Sequence, residues 1–274
     1  MPMLLYLAGI ILLIYLLLLR GRTGKPELKP FRSCLFAHRG LYGDGVPENS
    51  LKAFRRAAEQ GFGIELDVHL LKDGTLAVLH DSDLLRMTGQ LGILESLSGE
   101  DLEFYRLQCS DQRIPTLSQV LDLIQGTVPL IIELKVRQAN SSALCQAVCR
   151  QLDCYPGAFC LESFDPRCLM WLKKHRPELL RGQLSENFLK KKDSSLSWPL
   201  RFAASFHLES FLTRPDFIAH RFSDRRTLSN YLIRRLWQVA GITWTVRSQQ
   251  ELDTACREGW IPIFEGFLPS GPSK

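Results

Sequence analysis

The sequence lacks the cysteine patterns of a disulfide scaffold or of a thiolate metal site. Eight cysteines are spread over 274 residues, and no two of them have CxxC spacing. Disulfide frameworks belong mostly to small secreted domains, whereas a chain of this length can bury a core without them. We therefore expect free thiols that pack as small hydrophobic side chains in a reducing compartment, and no thiolate zinc site.

The sequence also lacks a dense basic stripe, an internal repeat and a low-complexity tract. The formal net charge is +5, and the lysines and arginines that produce it are scattered. A nucleic-acid-binding surface normally requires such a stripe, so we predict no nucleic-acid partner. The mild positive charge suits an anionic membrane surface or a phosphate-bearing substrate.

Residues 1–20 carry no charge before Arg20, and the stretch 3–19 is almost entirely apolar. This length approaches the ~20 residues that span a bilayer, so we predict a transmembrane anchor at 1–20. A cleaved signal peptide is the alternative, but no basic residue precedes the stretch and no small-residue cleavage site follows it. Arg22, Lys25 and Lys29 come after it, which predicts a single-pass protein whose main domain is cytoplasmic. Residues 21–32 are interpreted as a linker.

Strand-like and helix-like segments alternate over residues 33–270. Short apolar runs predict strands at 34–37, 64–68, 76–79, 130–134, 158–161, 180–184, 242–246 and 261–264. Amphipathic runs predict helices at 49–60, 116–124, 141–151, 166–175, 224–239 and 249–257. This order indicates an α/β fold with a parallel sheet, either doubly wound or closed, and its length favours a (β/α)8 TIM barrel. The irregular segment 82–113 predicts a small insertion after strand 3, and a further strand is left open between 203–206 and 217–219.

Titratable residues interrupt or follow the first four predicted strands. They are His38 and Arg39, Glu65 and Asp67, His80 and Asp81, and Glu133 and Lys135. In a (β/α)8 barrel the carboxyl ends of the strands meet at one mouth, where active sites lie. We therefore expect these side chains to converge.

Glu65 and Asp67 are two residues apart and would face the same side of a strand. Burying two unpaired carboxylates costs several kcal/mol, and a cation removes that cost. Hard oxygen ligands favour one divalent cation, Mg²⁺ or Ca²⁺, and Glu133 on a neighbouring strand would be the third ligand. A pair of acids neutralised by Arg or Lys near the floor of the barrel is the alternative.

His38 and His80 would face the same centre from different strands. Such a pair suits phosphodiester cleavage, in which one imidazole takes a proton from the attacking hydroxyl and the other gives one to the leaving oxygen. A structural role is the alternative for both. Arg39 and Lys135 could neutralise phosphate oxygens, and Arg39 could also pair with Glu48. Asp81 either orients a histidine or caps a helix.

Taken together, these segments resemble the glycerophosphodiester phosphodiesterase family, a branch of the phosphatidylinositol-phospholipase-C-like phosphodiesterases. The resemblance covers nearly all of residues 34–267. Its motifs are AHRG at 37–40, PENS at 47–50, GIELDVHLLKDG at 63–74, LAVLHD at 76–81, RIPTLSQVL at 113–121, IIELK at 131–135, ESFDP at 162–166 and ITWTV at 242–246. Each motif alone is weak, but their order and spacing are specific.

The resemblance implies that residues 33–270 form a catalytic barrel that hydrolyses glycerophosphodiesters to glycerol 3-phosphate and an alcohol. It implies that His38 and His80 are the acid/base pair and that Glu65, Asp67 and Glu133 are ligands of one divalent cation. Arg39 and Lys135 would contact phosphate, and Trp244 would be a substrate contact or a core residue. Glu48 and Asn49 would support the site. Near the C-terminus the chain departs from the family pattern D-G-x-x-T-D-x-P, because it has GWIPIFEGFLP at 259–269, with Glu265 near the usual Asp.

Two other functions stay open at this stage. One is a lysophospholipase D-type enzyme that acts on membrane lysolipids, which a membrane anchor would favour. The other is an inactive, membrane-tethered binding module built on the same barrel. The sequence carries no signal for a head group or for an oligomeric state.

Overall fold

Nine strands form one sheet in the computed structural model of the protein, which describes residues 2–22, 28–108, 110–191 and 196–270. They are β1 (Phe36–His38), β2 (Gly63–Leu70), β3 (Leu76–Val78), β4 (Leu130–Leu134), β5 (Phe159–Ser163), β6 (Arg181–Ser185), β7 (Phe217–Arg221), β8 (Ala240–Val246) and β9 (Ile261–Phe264). All except β3 are parallel and form a ring in the order β1, β9, β8, β7, β6, β5, β4, β2, which the pairing of β1 with β2 closes. The predicted TIM barrel is confirmed. Residues 23–27 of the predicted linker, which include Lys25, and Cys109 lie outside the described residues.

The strand β3 is not part of the ring. It runs antiparallel to β2, with Val78 opposite Val68. Counting 76–79 as the third barrel strand was therefore wrong, because a short apolar run does not encode the direction of its partner. The remaining barrel strand is β7, one of the two segments left open, whereas 203–206 lies at the end of a helix. The predicted insertion thus begins with β3 itself, after the second barrel strand.

Eleven α-helices occur in the described residues, mostly on the outside of the barrel. They are α1 (Pro2–Leu18), α2 (Lys29–Arg32), α3 (Leu51–Glu59), α4 (Leu85–Thr88), α5 (Leu117–Ile124), α6 (Ser141–Leu152), α7 (Pro166–His175), α8 (Trp198–Ser205), α9 (Ser210–Thr213), α10 (Leu228–Leu236) and α11 (Gln249–Arg257). The helix predicted at 224–239 begins later, because the Thr227 side chain accepts a hydrogen bond from the Asn230 amide and caps α10.

Alternation along the strands separates two layers of core. On β4, Ile132 packs outward among the helices, while Ile131 packs inside the barrel with side chains such as Ala219 and Ile263. Glu133 has the same parity as Ile131 and therefore also points into the barrel. Four buried cysteines, Cys145, Cys149, Cys160 and Cys168, belong to these cores as small apolar side chains.

Helix α1 has exposed apolar side chains along most of its length. Its seventeen residues extend about 26 Å, which is less than the ~30 Å of a bilayer's hydrocarbon core. Among the described residues, no helix has both the length and the apolarity that a membrane span requires. The predicted transmembrane anchor at 1–20 is therefore not supported. The end of α1 contacts the barrel, where the Trp237 indole donates a hydrogen bond to the Leu16 carbonyl and Leu19 is fully buried.

Candidate active site

Three carboxylates from β2 and β4 meet inside the barrel. One oxygen each from Glu65, Asp67 and Glu133 lies within 4.8 Å of the others, and all three residues are buried. The sheet register accounts for this cluster, because Asp67 lies opposite Glu133 on the adjacent parallel strand and Glu65 precedes it on the same face. The three acids that the sequence singled out are therefore neighbours in space.

Cationic and amide donors surround these carboxylates. The Lys135 ammonium lies 2.9 Å from Asp67 Oδ1 and 2.8 Å from Glu133 Oε1. The Asn49 side chain donates a hydrogen bond of 2.8 Å to Asp67 Oδ2, and the Arg39 amide donates one of 3.0 Å to Glu65 Oε2. These contacts fix the orientation of the three acids but leave more negative charge than positive charge in the cluster.

The acids therefore have unusual proton affinities. Burial and the nearby charges of Asp67 and Glu133 raise the pKa of Glu65 well above its ordinary value. Burial also raises the pKa of Glu133 to about 7, although the charge of Lys135 opposes the rise. Burial acts in the same direction on Asp67, but Lys135, His80 and Arg39 outweigh it, so the pKa of Asp67 is lowered.

This cluster fits a divalent cation. Three hard oxygen donors converge at a spacing that one ion can bridge, and burial together with their mutual repulsion raises the pKa values of Glu65 and Glu133. A bound cation would take the place of the protons that Glu65 and Glu133 otherwise hold. Oxygen-only ligation is the chemistry of Mg²⁺ or Ca²⁺.

His38 is the last residue of β1, which belongs to the same ring of strands. Its Nδ1 lies 2.5 Å from Glu265 Oε2, and its Nε2 lies 3.9 Å from Glu65. Glu265 also accepts a hydrogen bond from the Tyr42 hydroxyl and pairs with Arg247 at 2.5 Å. Burial would raise the pKa of Glu265, but the hydrogen bond and charge of His38 prevail, and the pKa falls to about 2. Glu265, which departs from the family pattern, is thus a carboxylate that orients His38.

His80 reaches the pocket from the end of β3, outside the ring. Its Nδ1 lies 2.6 Å from Asp81 Oδ1, and the other Asp81 oxygen pairs with Arg86. Asp81 therefore orients the histidine and does not cap a helix. Burial lowers the pKa of His80 to about 4, although the charge of Asp67 opposes this shift.

The segment 37–50 places Arg39, Glu48 and Asn49 through an unusual backbone. Arg39 and Asn49 both have positive φ angles, 56° and 53°, and the Asn49 amide donates a hydrogen bond to the Arg39 carbonyl. The Arg39 guanidinium pairs with Glu48 at 2.8 Å and lies 3.4 Å from Asp67. Glu48 also accepts a hydrogen bond from Arg86, which pairs with Asp81. Glu48 therefore connects Arg39 to the residues that orient His80. The predicted ion pair of Arg39 with Glu48 is present and Arg39 lines the pocket, whereas its contact with phosphate stays a prediction.

Six of the predicted site residues line one pocket of about 250 Å³, namely His38, Arg39, Glu65, His80, Glu133 and Lys135. Trp244 also lines this pocket, and its indole donates a hydrogen bond to the Ala219 carbonyl while its ring meets Phe164 edge to face at 5.7 Å. Trp244 is partly exposed to this pocket, so it has both a packing contact and a free surface.

Sequence reasoning assigned no role to four charged residues of the pocket wall. They are Glu162 at the end of β5, Glu186 and Lys191 after β6, and Arg221 at the end of β7. The Glu186 carboxylate is buried and pairs with Lys191 at 2.7 Å and Arg221 at 3.1 Å. Glu162 lies opposite Glu133, and burial raises its pKa well above the ordinary value. The sequence signal that identified the predicted site residues, a charged residue in or just after an apolar strand, also applies to Glu162 and Arg221.

Comparisons with known proteins identify the family of this chain. The family model of the glycerophosphoryl diester phosphodiesterases matches residues 38–266. A glycerophosphodiester phosphodiesterase of Bacillus altitudinis is 38% identical over 113 residues, which are 38% of this chain and 45% of that protein. Glycerophosphodiester phosphodiesterase 1 of Mus musculus is 33% identical over 134 residues, 45% of this chain and 40% of its own length. The chain thus matches less than half the length of these two curated relatives.

Solved structures share the barrel. A phosphodiesterase from Oleispira antarctica, determined in complex with the product sn-glycerol-3-phosphate, superposes with a TM-score of 0.68 at 22% identity and covers 85% of this chain and 92% of its own. A glycerophosphodiester phosphodiesterase from Thermotoga maritima gives a TM-score of 0.64 at 23% identity, with coverages of 85% and 94%. At such identities the superpositions establish the fold, and the match of the family model over most of the chain establishes descent. The chain belongs to the glycerophosphoryl diester phosphodiesterase family.

Proposed function

We propose that the chain is a phosphoric diester hydrolase that cleaves glycerophosphodiesters to glycerol 3-phosphate and an alcohol, with one divalent cation. The observation that carries the proposal is the convergence of three buried carboxylates, two carboxylate-paired imidazoles and two positively charged side chains at one small pocket. Membership of the family supports the same reaction class.

The surroundings of each pocket residue suggest its role in the proposed reaction. Glu65, Asp67 and Glu133 would hold the cation, which supplies charge to the phosphoryl oxygens and to the attacking hydroxyl. Lys135 and Arg39 border the same space and would bind the remaining anionic oxygens.

The two histidines would exchange the protons of the reaction. His80 is uncharged at neutral pH, because its pKa is lowered to about 4, and can accept a proton from the attacking hydroxyl. Glu265 holds Nδ1 of His38, which leaves Nε2 of that ring to donate a proton to the leaving oxygen. The resemblance implies a route in which the glycerol 2-hydroxyl attacks the phosphorus first, which expels the alcohol and forms a cyclic phosphate. When water opens that cyclic phosphate, the two rings exchange these roles.

The test is hydrolysis of glycerophosphocholine by the full chain with Mg²⁺ or Ca²⁺. We expect His38→Ala and His80→Ala each to lower kcat by about 10²-fold to 10⁴-fold, the usual contribution of a positioned acid or base. Glu133→Gln and addition of EDTA should abolish turnover. His175→Ala, which changes an exposed histidine on α7, is the matched control and should leave the rate unchanged. Wild-type rates for the site variants or in EDTA would contradict the mechanism.

The same assay separates the other candidate functions. A lysolipid, offered with and without detergent, tests the lysophospholipase D alternative, and faster turnover of the lysolipid would make it the substrate. Lack of turnover of any diester, with either cation, would favour a binding module. The cytoplasmic location inferred from the charges that follow residues 1–20 stays a prediction.

A further inference from the structure

A second cleft opens at the end of the barrel opposite the candidate active site. It has a volume of about 1320 Å³. Its walls come from the chain just before β1, from the first residues of β8 and β9, and from α10 and the end of α11. The candidate active site uses the other ends of the same strands, so the two cavities are separate.

Arginine dominates this cleft. Six arginines line it, namely Arg32, Arg225, Arg226, Arg234, Arg235 and Arg257, against one acid, Glu258. Six positive charges and one negative charge leave a formal charge of +5, which equals the net charge of the whole 274-residue chain. The remainder of the chain is therefore electrically balanced, and the excess lies in one concave surface.

The single acid does not neutralise the cleft. Glu258 accepts hydrogen bonds from both Arg225 and Arg226, so one carboxylate serves two guanidinium groups. Arg234 lies 4.0 Å from the centre of the Trp260 ring and donates to the carbonyls of Glu258 and Gly259, and it forms no ion pair with a described carboxylate. Burial, together with the charge of Arg235, lowers the pKa of Arg234.

Three of the arginines extend into solvent at the rim. Arg32, Arg235 and Arg257 are exposed, and within the described part of the chain none lies in an ion pair with a carboxylate. Arg235 lies over the ring of Tyr231, with its guanidinium 5.9 Å from the ring centre. Guanidinium groups with open donors are the side chains best suited to bind phosphate oxygens in pairs.

We infer that this arginine cleft binds a small molecule or head group that carries two or more phosphate groups. One phosphate would leave most of the excess charge unmatched, whereas a polyphosphate would pair with several guanidinium groups at once. The cleft is also larger than a single phosphate requires, since small-molecule pockets usually measure about 300–1,000 Å³. This binding site is independent of the proposed hydrolysis.

The test is calorimetric titration of the full chain with inorganic tripolyphosphate, in buffer with EDTA so that no divalent cation bridges the ligand to the carboxylates. Arg32→Gln/Arg235→Gln should bind about tenfold more weakly for each guanidinium that contacts phosphate. The matched control is Arg55→Gln/Arg150→Gln, which removes the same charge from exposed positions on α3 and α6 and should bind as the wild type does. His80→Ala should also keep its affinity, because the ligand lies outside the catalytic pocket.

Vesicles distinguish the two sources of the ligand. Phosphatidylcholine vesicles with and without a phosphatidylinositol bisphosphate show whether the phosphate groups belong to a lipid, and tripolyphosphate binding alone shows a soluble ligand. Either result supports the cleft, provided that Arg32→Gln/Arg235→Gln weakens it. No binding of either probe, equal binding by that variant, or preferential binding of single-stranded RNA would overturn the inference. Turnover of glycerophosphocholine by Arg32→Gln/Arg235→Gln should equal that of the wild type, so failure of this site does not affect the proposed hydrolase.

Discussion

Each imidazole of the candidate site is held by a carboxylate from a different part of the chain. Asp81 is the immediate neighbour of His80, whereas Glu265 lies more than two hundred residues from His38 and is itself held by Tyr42 and Arg247. The carboxylate that orients His80 could be proposed from the sequence alone. The one that orients His38 depends on the barrel closing, which brings β9 beside β1.

Glu265→Gln tests whether Glu265 orients His38. The amide keeps the size of the side chain but removes the charge beside Nδ1, so we expect kcat to fall by about 10-fold to 100-fold, the range for outer carboxylates that orient an imidazole. The alkaline limb of the pH–rate profile, on which the proton donor loses its proton, should also shift, whereas a purely structural role would change stability and leave the profile in place. Glu265→Asp, which restores the charge, should recover part of the rate.

The affinity for the divalent cation should depend on pH through Glu133. Because its pKa is about 7, Glu133 carries a proton below that pH, and a cation must displace it. We expect the affinity to fall about tenfold more per pH unit below pH 7 than above it, because Glu133 then releases one proton in addition to the one that Glu65 releases. Calorimetry in two buffers of different ionisation enthalpy would count the protons. A constant affinity from about pH 6 to pH 8 would contradict this assignment.

At the scale of single residues, the sequence located most of the site. The acids and histidines at 38, 65, 67, 80 and 133 could be found because a charge inside or just after an apolar strand has few structural explanations. The pairs of Glu186 with Lys191 and Arg221 could not be found, because they depend on how the loop after β6 folds back across the pocket. That conformation is set by contacts between distant segments.

Among the elements, the strands that face two layers of core were predicted best. β2 and β4 have long apolar runs with acids at fixed parity, and their positions were close to those observed. β7 was ambiguous, because Phe217–Arg221 contains His and Arg and resembles a loop as much as a strand. β3 was assigned to the wrong role, since three apolar residues fit a parallel or an antiparallel partner equally well.

The turn between β1 and α3 depends on one glycine. Gly40 has a φ of 80°, and a Cβ there would lie 2.9 Å from Ala53 and from the Phe54 ring. We expect Gly40→Ala to lower the free energy of unfolding by roughly 2–4 kcal/mol, from the left-handed backbone and from overpacking together. It should also displace Arg39 and lower activity. Gly61→Ala is the control, because Gly61 has a φ of 73° but open space around it, so only the backbone cost of about 1–2 kcal/mol applies. Equal losses in urea denaturation would show that the contact with α3 is unimportant.

For the molecule as a whole, the N-terminal helix is attached by its last turn. Leu19 is fully buried in the core between strands and helices, whereas Leu12 is 54% exposed. We expect Leu19→Ala to reduce the free energy of unfolding by about 2–4 kcal/mol, as for other large-to-small changes in a core. Leu12→Ala should change it by less than about 0.5 kcal/mol. Urea denaturation of both variants measures the difference, and similar values would mean that Leu19 is not packed as described.

The position of β3 outside the ring has a consequence for how the proposed activity can be lost or altered. His80, one of the two proposed proton-transfer groups, follows the appended strand β3, whereas His38 and all three acids belong to the closed ring. A molecule could form the closed ring of strands while β3 is misplaced. Such a molecule would be folded and able to hold a cation, but it would be inactive. By the same reasoning, β3 and the insertion that follows it could be exchanged between relatives, which would change proton transfer without changing the barrel.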